Sequence, residues 1–158
     1  MLFRSANPAK RFIFGYEQAL GYLVCGQPLV KDGITAAVML ADVAGLAAAE
    51  GVTLQDRLDA IAATYGRHIM ADSSVHMPPV DGAAAVARLR AKPPTRVGGK
   101  AVTSTQWFAE AGLLRLQLGE NMRVQVRPSG TEPKVKLYGE GIGADPKPYL
   151  AALAALLD

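Results

Sequence analysis

Arg123-Val124-Gln125-Val126-Arg127-Pro128-Ser129-Gly130-Thr131-Glu132-Pro133-Lys134-Val135-Lys136-Leu137-Tyr138 sets two alternating runs either side of a turn-forming centre. Val124 and Val126 alternate with Arg123, Gln125 and Arg127. Val135 and Leu137 alternate with Lys134, Lys136 and Tyr138. A period of two on both sides predicts two strands joined by a loop. Pro128, Gly130 and Pro133 supply turn chemistry and exclude a helix. The loop offers two hydroxyls and the backbone N–H groups of Ser129, Gly130 and Thr131, and successive N–H groups around a glycine can form an anion-binding concavity. Arg127 adds a planar fork matched to phosphate oxygens. The same chemistry also fits an ordinary β-hairpin loop with a basic surface.

Outward from this stretch the strand pattern continues. Leu114, Leu116 and Leu118 share one face of a run over 113–118, and Gly119-Glu120-Asn121 is a hairpin turn into the next strand. Strands are expected over 69–77, at Val97 before the Gly98-Gly99 turn, and over 100–105. A helix over 81–91 is expected to be capped by Asp81, with Val86 and Leu89 inward. A last helix opens at Asp145-Pro146 and turns Leu150, Leu153, Ala154 and Leu157 to one side. The expectation is an α+β fold, an antiparallel sheet with helices on one face.

The N-terminal part reads differently. Arg11-Phe12-Ile13-Phe14 suggests a short strand ended by Gly15, and Gly15–Tyr22 is a glycine-bracketed segment around one carboxylate, Glu17. Asp32 is placed to cap an apolar, alanine-rich helix over 34–50 that should be largely buried. Gly51 closes it. Thr53 to Asp56 reads as a capping box for a second helix with Leu54, Leu58, Ile61 and Tyr65 as its inner stripe.

Composition bounds the function. The chain has 158 residues, half of them hydrophobic, and a net charge of +3. A packed core is expected, and the charge is too small to suggest a nucleic-acid partner. Arg123, Arg127, Lys134 and Lys136 nevertheless concentrate cations in one place, which suits a small anion. Cys25 is the lone cysteine, so no intrachain disulfide is possible. No run reaches the ~18 apolar residues of a membrane helix, and the N-terminus lacks a secretory core. A cytoplasmic protein without membrane partner is the expectation. His68 and His76 stand eight apart with no third ligand at suitable spacing, which argues against a metal site in this chain.

The Arg127–Lys134 segment resembles the phosphate-binding loop of the α-D-phosphohexomutases, the phosphoglucomutase/phosphomannomutase family. The resemblance implies that Arg127, Ser129, Gly130 and Thr131 hold the non-reacting phosphate of a sugar phosphate, with Lys134 and Lys136 nearby. Gly15-Tyr16-Glu17-Gln18-Ala19-Leu20-Gly21-Tyr22 is similar to the family's sugar-recognition loop, Gly-x-Glu-Glu-Ser-x-Gly-Tyr. Glu17 matches the glutamate that reaches the sugar hydroxyls, Gln18 stands where a second glutamate is common, and Ala19 replaces a serine. Val30-Lys31-Asp32-Gly33 is similar to the end of the family's Val-Arg-Asp-Lys-Asp-Gly segment. Lys31 matches the lysine beside the reacting sugar, while Leu29 stands where the family has an arginine.

By this resemblance residues 1–68 are the end of an α/β sugar-recognition domain, a mostly helical remnant, and residues 69–158 the C-terminal phosphate-binding domain. The family's reactive-serine segment and its Asp-Gly-Asp-Gly-Asp-Arg-like magnesium loop are absent from the sequence. Phosphoryl transfer needs both a nucleophile and a cation to neutralise moving charge. The implied cofactor, Mg2+, therefore belongs to the full enzyme, and this chain alone is expected to be inactive. Four readings follow: the C-terminal fragment of a mutase acting on a hexose or pentose phosphate, one subunit of a split mutase whose N-terminal domains are a separate chain, a stand-alone phosphosugar-binding or regulatory module, or a folded remnant with no activity.

Overall fold

The alternating runs over 113–118, 123–127 and 134–138 become the centre of a six-stranded antiparallel sheet in the computed structural model, which describes residues 10–17, 21–24 and 30–157. The strands are β3 (His68–His76), β4 (Arg96–Val97), β5 (Lys100–Phe108), β6 (Leu113–Leu118), β7 (Met122–Pro128) and β8 (Lys134–Ile142), in spatial order β3-β8-β7-β6-β5-β4. Strand by strand, burial follows the pleat: Leu114, Leu116 and Leu118, then Met122, Val124 and Val126, then Val135 and Leu137 are almost fully buried. Their neighbours Arg115, Gln117, Arg123, Gln125, Arg127, Lys134, Lys136 and Tyr138 are half-buried on the other face, as a side-chain period of two requires.

Two helices cover the apolar face. One, α3 (Pro79–Ala91), packs on β7 and β8 through Ala85, Val86 and Leu89, and the other, α4 (Lys147–Ala154), packs on β8 and β3 through Leu150 and Leu153. Two glycines set these approaches. A Cβ at Gly82 would lie 2.9 Å from Val135 Cγ2, and one at Gly139 would lie 2.6 Å from Pro146 Cβ. Asp145 Oδ1 accepts the Lys147 N–H at 2.9 Å just ahead of α4, but the N-cap position itself is Pro146, which makes no side-chain cap bond. Asp81 does not cap α3. The helix starts two residues earlier with Pro79 in its first turn and Pro78 before it, with no side-chain cap bond, because a proline's fixed φ already suits that turn. The expected α+β fold with helices on one face is what the chain adopts.

The chain divides into two compact units, residues 1–60 and 61–158. In the first, β1 (Gly15–Glu17) and β2 (Gly21–Leu23) form a short antiparallel pair in which Glu17 faces Gly21. The strand expected over 11–14 is irregular instead, and Gly15 begins a strand rather than ending one.

The helix α1 (Gly33–Ala49) begins as expected, with Asp32 accepting the N–H groups of Ile34 and Thr35 at 3.1 Å each. These bonds, Thr35's first, hold the Asp32 carboxyl below its ordinary range. Gly51, at φ 75°, closes the helix. The capping box also forms: Asp56 Oδ2 accepts the Thr53 N–H at 2.7 Å, and Thr53 Oγ1 accepts the Asp56 N–H at 3.1 Å, opening α2 (Leu54–Tyr65).

Burial of these two helices does not follow the expectation. Of α1, only Ala47 is buried, and Ile34, Val38, Leu40 and Leu46 are more than half exposed. In α2, Leu58, Ile61 and Tyr65 are exposed as well. Helical periodicity correctly specified the helices, but burial also needs an opposing apolar layer, and the described residues provide none here. No single helix among the described residues is long and apolar enough to cross a membrane.

Candidate functional site

The β7–β8 loop is built by its own backbone. Ser129 N–H donates to the Lys134 carbonyl at 2.9 Å, and Lys134 N–H donates to the Glu132 carbonyl at 2.7 Å. Met77, just beyond β3, donates to the Pro133 carbonyl at 3.0 Å and braces the loop from outside. Ser129 is buried, whereas Gly130, Thr131 and Glu132 are exposed. Of the three N–H groups the sequence offered to an anion, Ser129's is therefore spent on closing the loop. Gly130 lies outside the left-handed region, and a Cβ there would meet nothing within 4 Å.

Below the loop, Arg127 on β7 stands directly opposite Lys136 on β8, and His76 of β3 stands opposite Lys134. The like charges of Arg127 and Lys136, face to face across the ladder, repel, so this corner of the polar face favours a negative group. Arg127 Nη2 donates to Tyr138 Oη at 3.4 Å, with the guanidinium carbon 6.0 Å from the Tyr138 ring centroid. Among the described residues Arg127 has no carboxylate partner. Lys134 Nζ lies 2.8 Å from Glu132 Oε1, and Lys136 Nζ lies 3.7 Å from Glu132 Oε2. The bond from Lys134, foremost, holds the Glu132 carboxyl below its ordinary range.

Arg123, the fourth cation in the sequence cluster, is engaged elsewhere. It pairs with Glu140, whose other oxygen lies 2.6 Å from His68 Nδ1. Burial pushes the Glu140 carboxyl up, but the bonds from His68 and Arg123 outweigh it and leave the group below its ordinary value. His68 and His76 occupy opposite ends of β3, and among the described residues no three of His, Cys, Asp and Glu converge as metal ligands.

Alongside, Arg115 stacks on the Phe108 ring at 4.6 Å. With the Gln125 amide oxygen turned toward it, Arg115 donates from Nε and Nη2 at 2.8 and 3.0 Å. Burial, then repulsion from Arg123, lowers the Arg115 pKa. A separate groove of about 460 Å³ lies against α3, lined by Val86, Ala87, Trp107 and Pro128, with Arg90 stacked over Trp107 at 4.5 Å. It offers no array of fixed donors for an anion.

In the first unit, the β1–β2 pair brings two sequence candidates into one neighbourhood. Glu17 ends β1 opposite Gly21, and the aliphatic part of Lys31 runs across Gly21, where a Cβ would collide with it. Asp32 N–H donates to the Tyr22 carbonyl at 3.1 Å, fastening the start of α1 to β2. The Glu17 side chain, Gln18, Ala19, Cys25 and Leu29 lie outside the described residues.

Sequence reasoning missed Glu132 and Tyr138. The signals were present: Glu132 precedes the lysines by two and four residues, and Tyr138 continues the outward alternation of Lys134 and Lys136.

Comparison with known proteins adds a second line. Residues 75–152 match the phosphoglucomutase/phosphomannomutase C-terminal domain. The chain is 31% identical over 151 residues to a probable phosphomannomutase of Haemophilus influenzae, covering 92% of this chain and 31% of that protein. It is 28% identical to a Mus musculus phosphopentomutase, covering 85% and 26%. A Staphylococcus epidermidis phosphoglucomutase is also 28% identical, over 85% and 29%. The chain thus spans less than a third of the length of these curated relatives.

Proposed function

The chain belongs to the phosphoglucomutase/phosphomannomutase family through its C-terminal domain, and on that premise we infer that it grips a sugar phosphate for a mutase whose reacting groups lie outside it. The reaction is reversible transfer of phosphate between C1 and C6 of a hexose, or C5 of a pentose. Arg127, Ser129, Gly130 and Thr131 clamp the distal phosphate, with Lys134 and Lys136 adding charge. In the first unit Glu17 orients the sugar hydroxyls and Lys31 lies beside the reacting oxygen. These residues make and break no bond. Their contribution is remote binding energy that positions the sugar for transfer.

The observation that carries this reading is the corner formed by Arg127, Lys136 and the β7–β8 loop. Two cations face each other across the ladder, beside exposed Gly130 and Thr131. With its N–H committed to Lys134, Ser129 contributes through its hydroxyl rather than its amide. Magnesium, which the family resemblance implies, finds no set of ligands among the described residues, and no step here runs through it.

Isothermal titration of the 158-residue chain with glucose 6-phosphate, mannose 6-phosphate and ribose 5-phosphate tests the clamp. Binding that is competed by inorganic phosphate and lost in Arg127→Ala is expected. Absence of binding to all three would sink the proposal. Mutase turnover is expected only when the remaining domains are supplied as a complementing chain, and turnover by this chain alone would overturn the division of labour.

A further inference from the structure

One carboxylate occupies both lysines of the proposed clamp. Glu132 Oε1 takes Lys134 Nζ at 2.8 Å, and Oε2 faces Lys136 Nζ at 3.7 Å. A phosphate monoester would bring the same thing to the same donors: two oxygens sharing negative charge. The backbone around Glu132 is anchored independently of its side chain. Its carbonyl accepts the Lys134 N–H, and the Pro133 carbonyl accepts the Met77 N–H. The side chain itself is 48% exposed, and the two lysines are 29% and 32% exposed. The carboxylate can therefore swing into water without disturbing the loop, and the ammonium groups are reachable from solvent.

We propose that Glu132 sets the affinity of the anion site, holding Lys134 and Lys136 as an internal counter-anion that an incoming phosphate displaces. This rests on the phosphate reading of the loop. The exchange replaces the close Lys134 contact and the longer Lys136 ion pair with the carboxylate by contacts to a phosphate, and no covalent bond changes. Its consequence is moderation. The gain from binding is the difference between two anions on one pair of lysines, and the returning carboxylate helps the ligand leave. The Glu132 carboxyl, held below its ordinary range by Lys134, is ionised at every pH where a sugar phosphate is a dianion.

The test is titration of the 158-residue chain and of Glu132→Gln with glucose 6-phosphate and, separately, inorganic phosphate, at one low salt concentration. Glu132→Gln is expected to bind each about 2- to 5-fold more tightly, the scale of a weak surface ion pair. Glu132→Ala should act in the same direction. Glu120→Gln removes the same charge from the β6–β7 turn at the other end of β7, and it should leave affinity nearly unchanged. Equal or weaker binding by both Glu132 variants overturns the inference, because the carboxylate would then be ordering the lysines instead of competing for them. An equal gain in Glu120→Gln also overturns it, since net charge alone would account for the effect. Failure of the unmodified chain and both Glu132 variants to bind overturns the phosphate reading itself, and this inference falls with it.

Discussion

Arg127 and Lys136 are directly paired across β7 and β8, with their side chains on the polar face and Val126 and Leu137 packed behind them. The pair is a small cost to the fold and an asset to an anion, so one substitution should move two measurements in different ways. Arg127→Ala is expected to raise the dissociation constant for glucose 6-phosphate roughly 10- to 150-fold, the effect of losing a charge-assisted hydrogen bond of about 1.5–3 kcal/mol. Its unfolding free energy should stay within about 0.5 kcal/mol of the unmodified chain. Titration calorimetry and urea unfolding on the same preparations check both halves.

Gly130→Ala separates a binding role for the loop from a folding role. The backbone there needs no glycine-only conformation, and an added methyl meets nothing within 4 Å. Stability should be unchanged. If the phosphate approaches the Gly130 N–H, the methyl stands in the ligand's path, and affinity should drop by about an order of magnitude while the melting temperature holds.

Acid should loosen the sheet through Glu140. Its carboxyl lies below the ordinary value of 4.5 in the folded chain, so the folded state holds this proton less tightly than the unfolded one. The resulting stability is fully present above the unfolded value and is lost as pH falls through the folded one. Melting temperature should therefore decline between about pH 5 and about pH 3, and decline less steeply in Glu140→Gln. Parallel curves for the two proteins would show that the His68–Glu140–Arg123 group contributes nothing.

Gly139→Ala probes the seat of α4 on β8. A Cβ would come within 2.6 Å of Pro146 Cβ and 3.2 Å of Leu150. Overpacking of this kind costs about 1–3 kcal/mol. The midpoint of chemical unfolding should move down accordingly, with little change in phosphate affinity, because Gly139 sits on the opposite face from Arg127.

The sheet was legible because alternation reports one buried face directly, and β6, β7 and β8 appear where Leu114, Val124 and Val135 predict them. Caps made by short polar side chains were legible too, at Asp32 and Thr53, since each bond spans only two or three residues. Burial of α1 was not. Periodicity says which side of a helix is apolar, but Ile34 and Leu46 need an opposing surface that no local pattern encodes.

Within the candidate site, the cluster of Arg123, Arg127, Lys134 and Lys136 was evident along the sequence. Its electrostatic state was not, because ladder register decides who faces whom. Glu140 reaches Arg123 from seventeen residues away. The loop's internal bond from Ser129 to Lys134 likewise depends on how the chain closes, and it removes a donor that spacing alone had counted as available.

The pleat assigns structure and, on the proposed reading, recognition to alternate residues of the same strands. Along β8, Val135 and Leu137 hold the helices while Lys134, Lys136 and Tyr138 face solvent. A change of ligand preference can therefore accumulate at every second position without repacking the interior. The charged side can be rewritten, in evolution or at the bench, on a scaffold that does not register the edits.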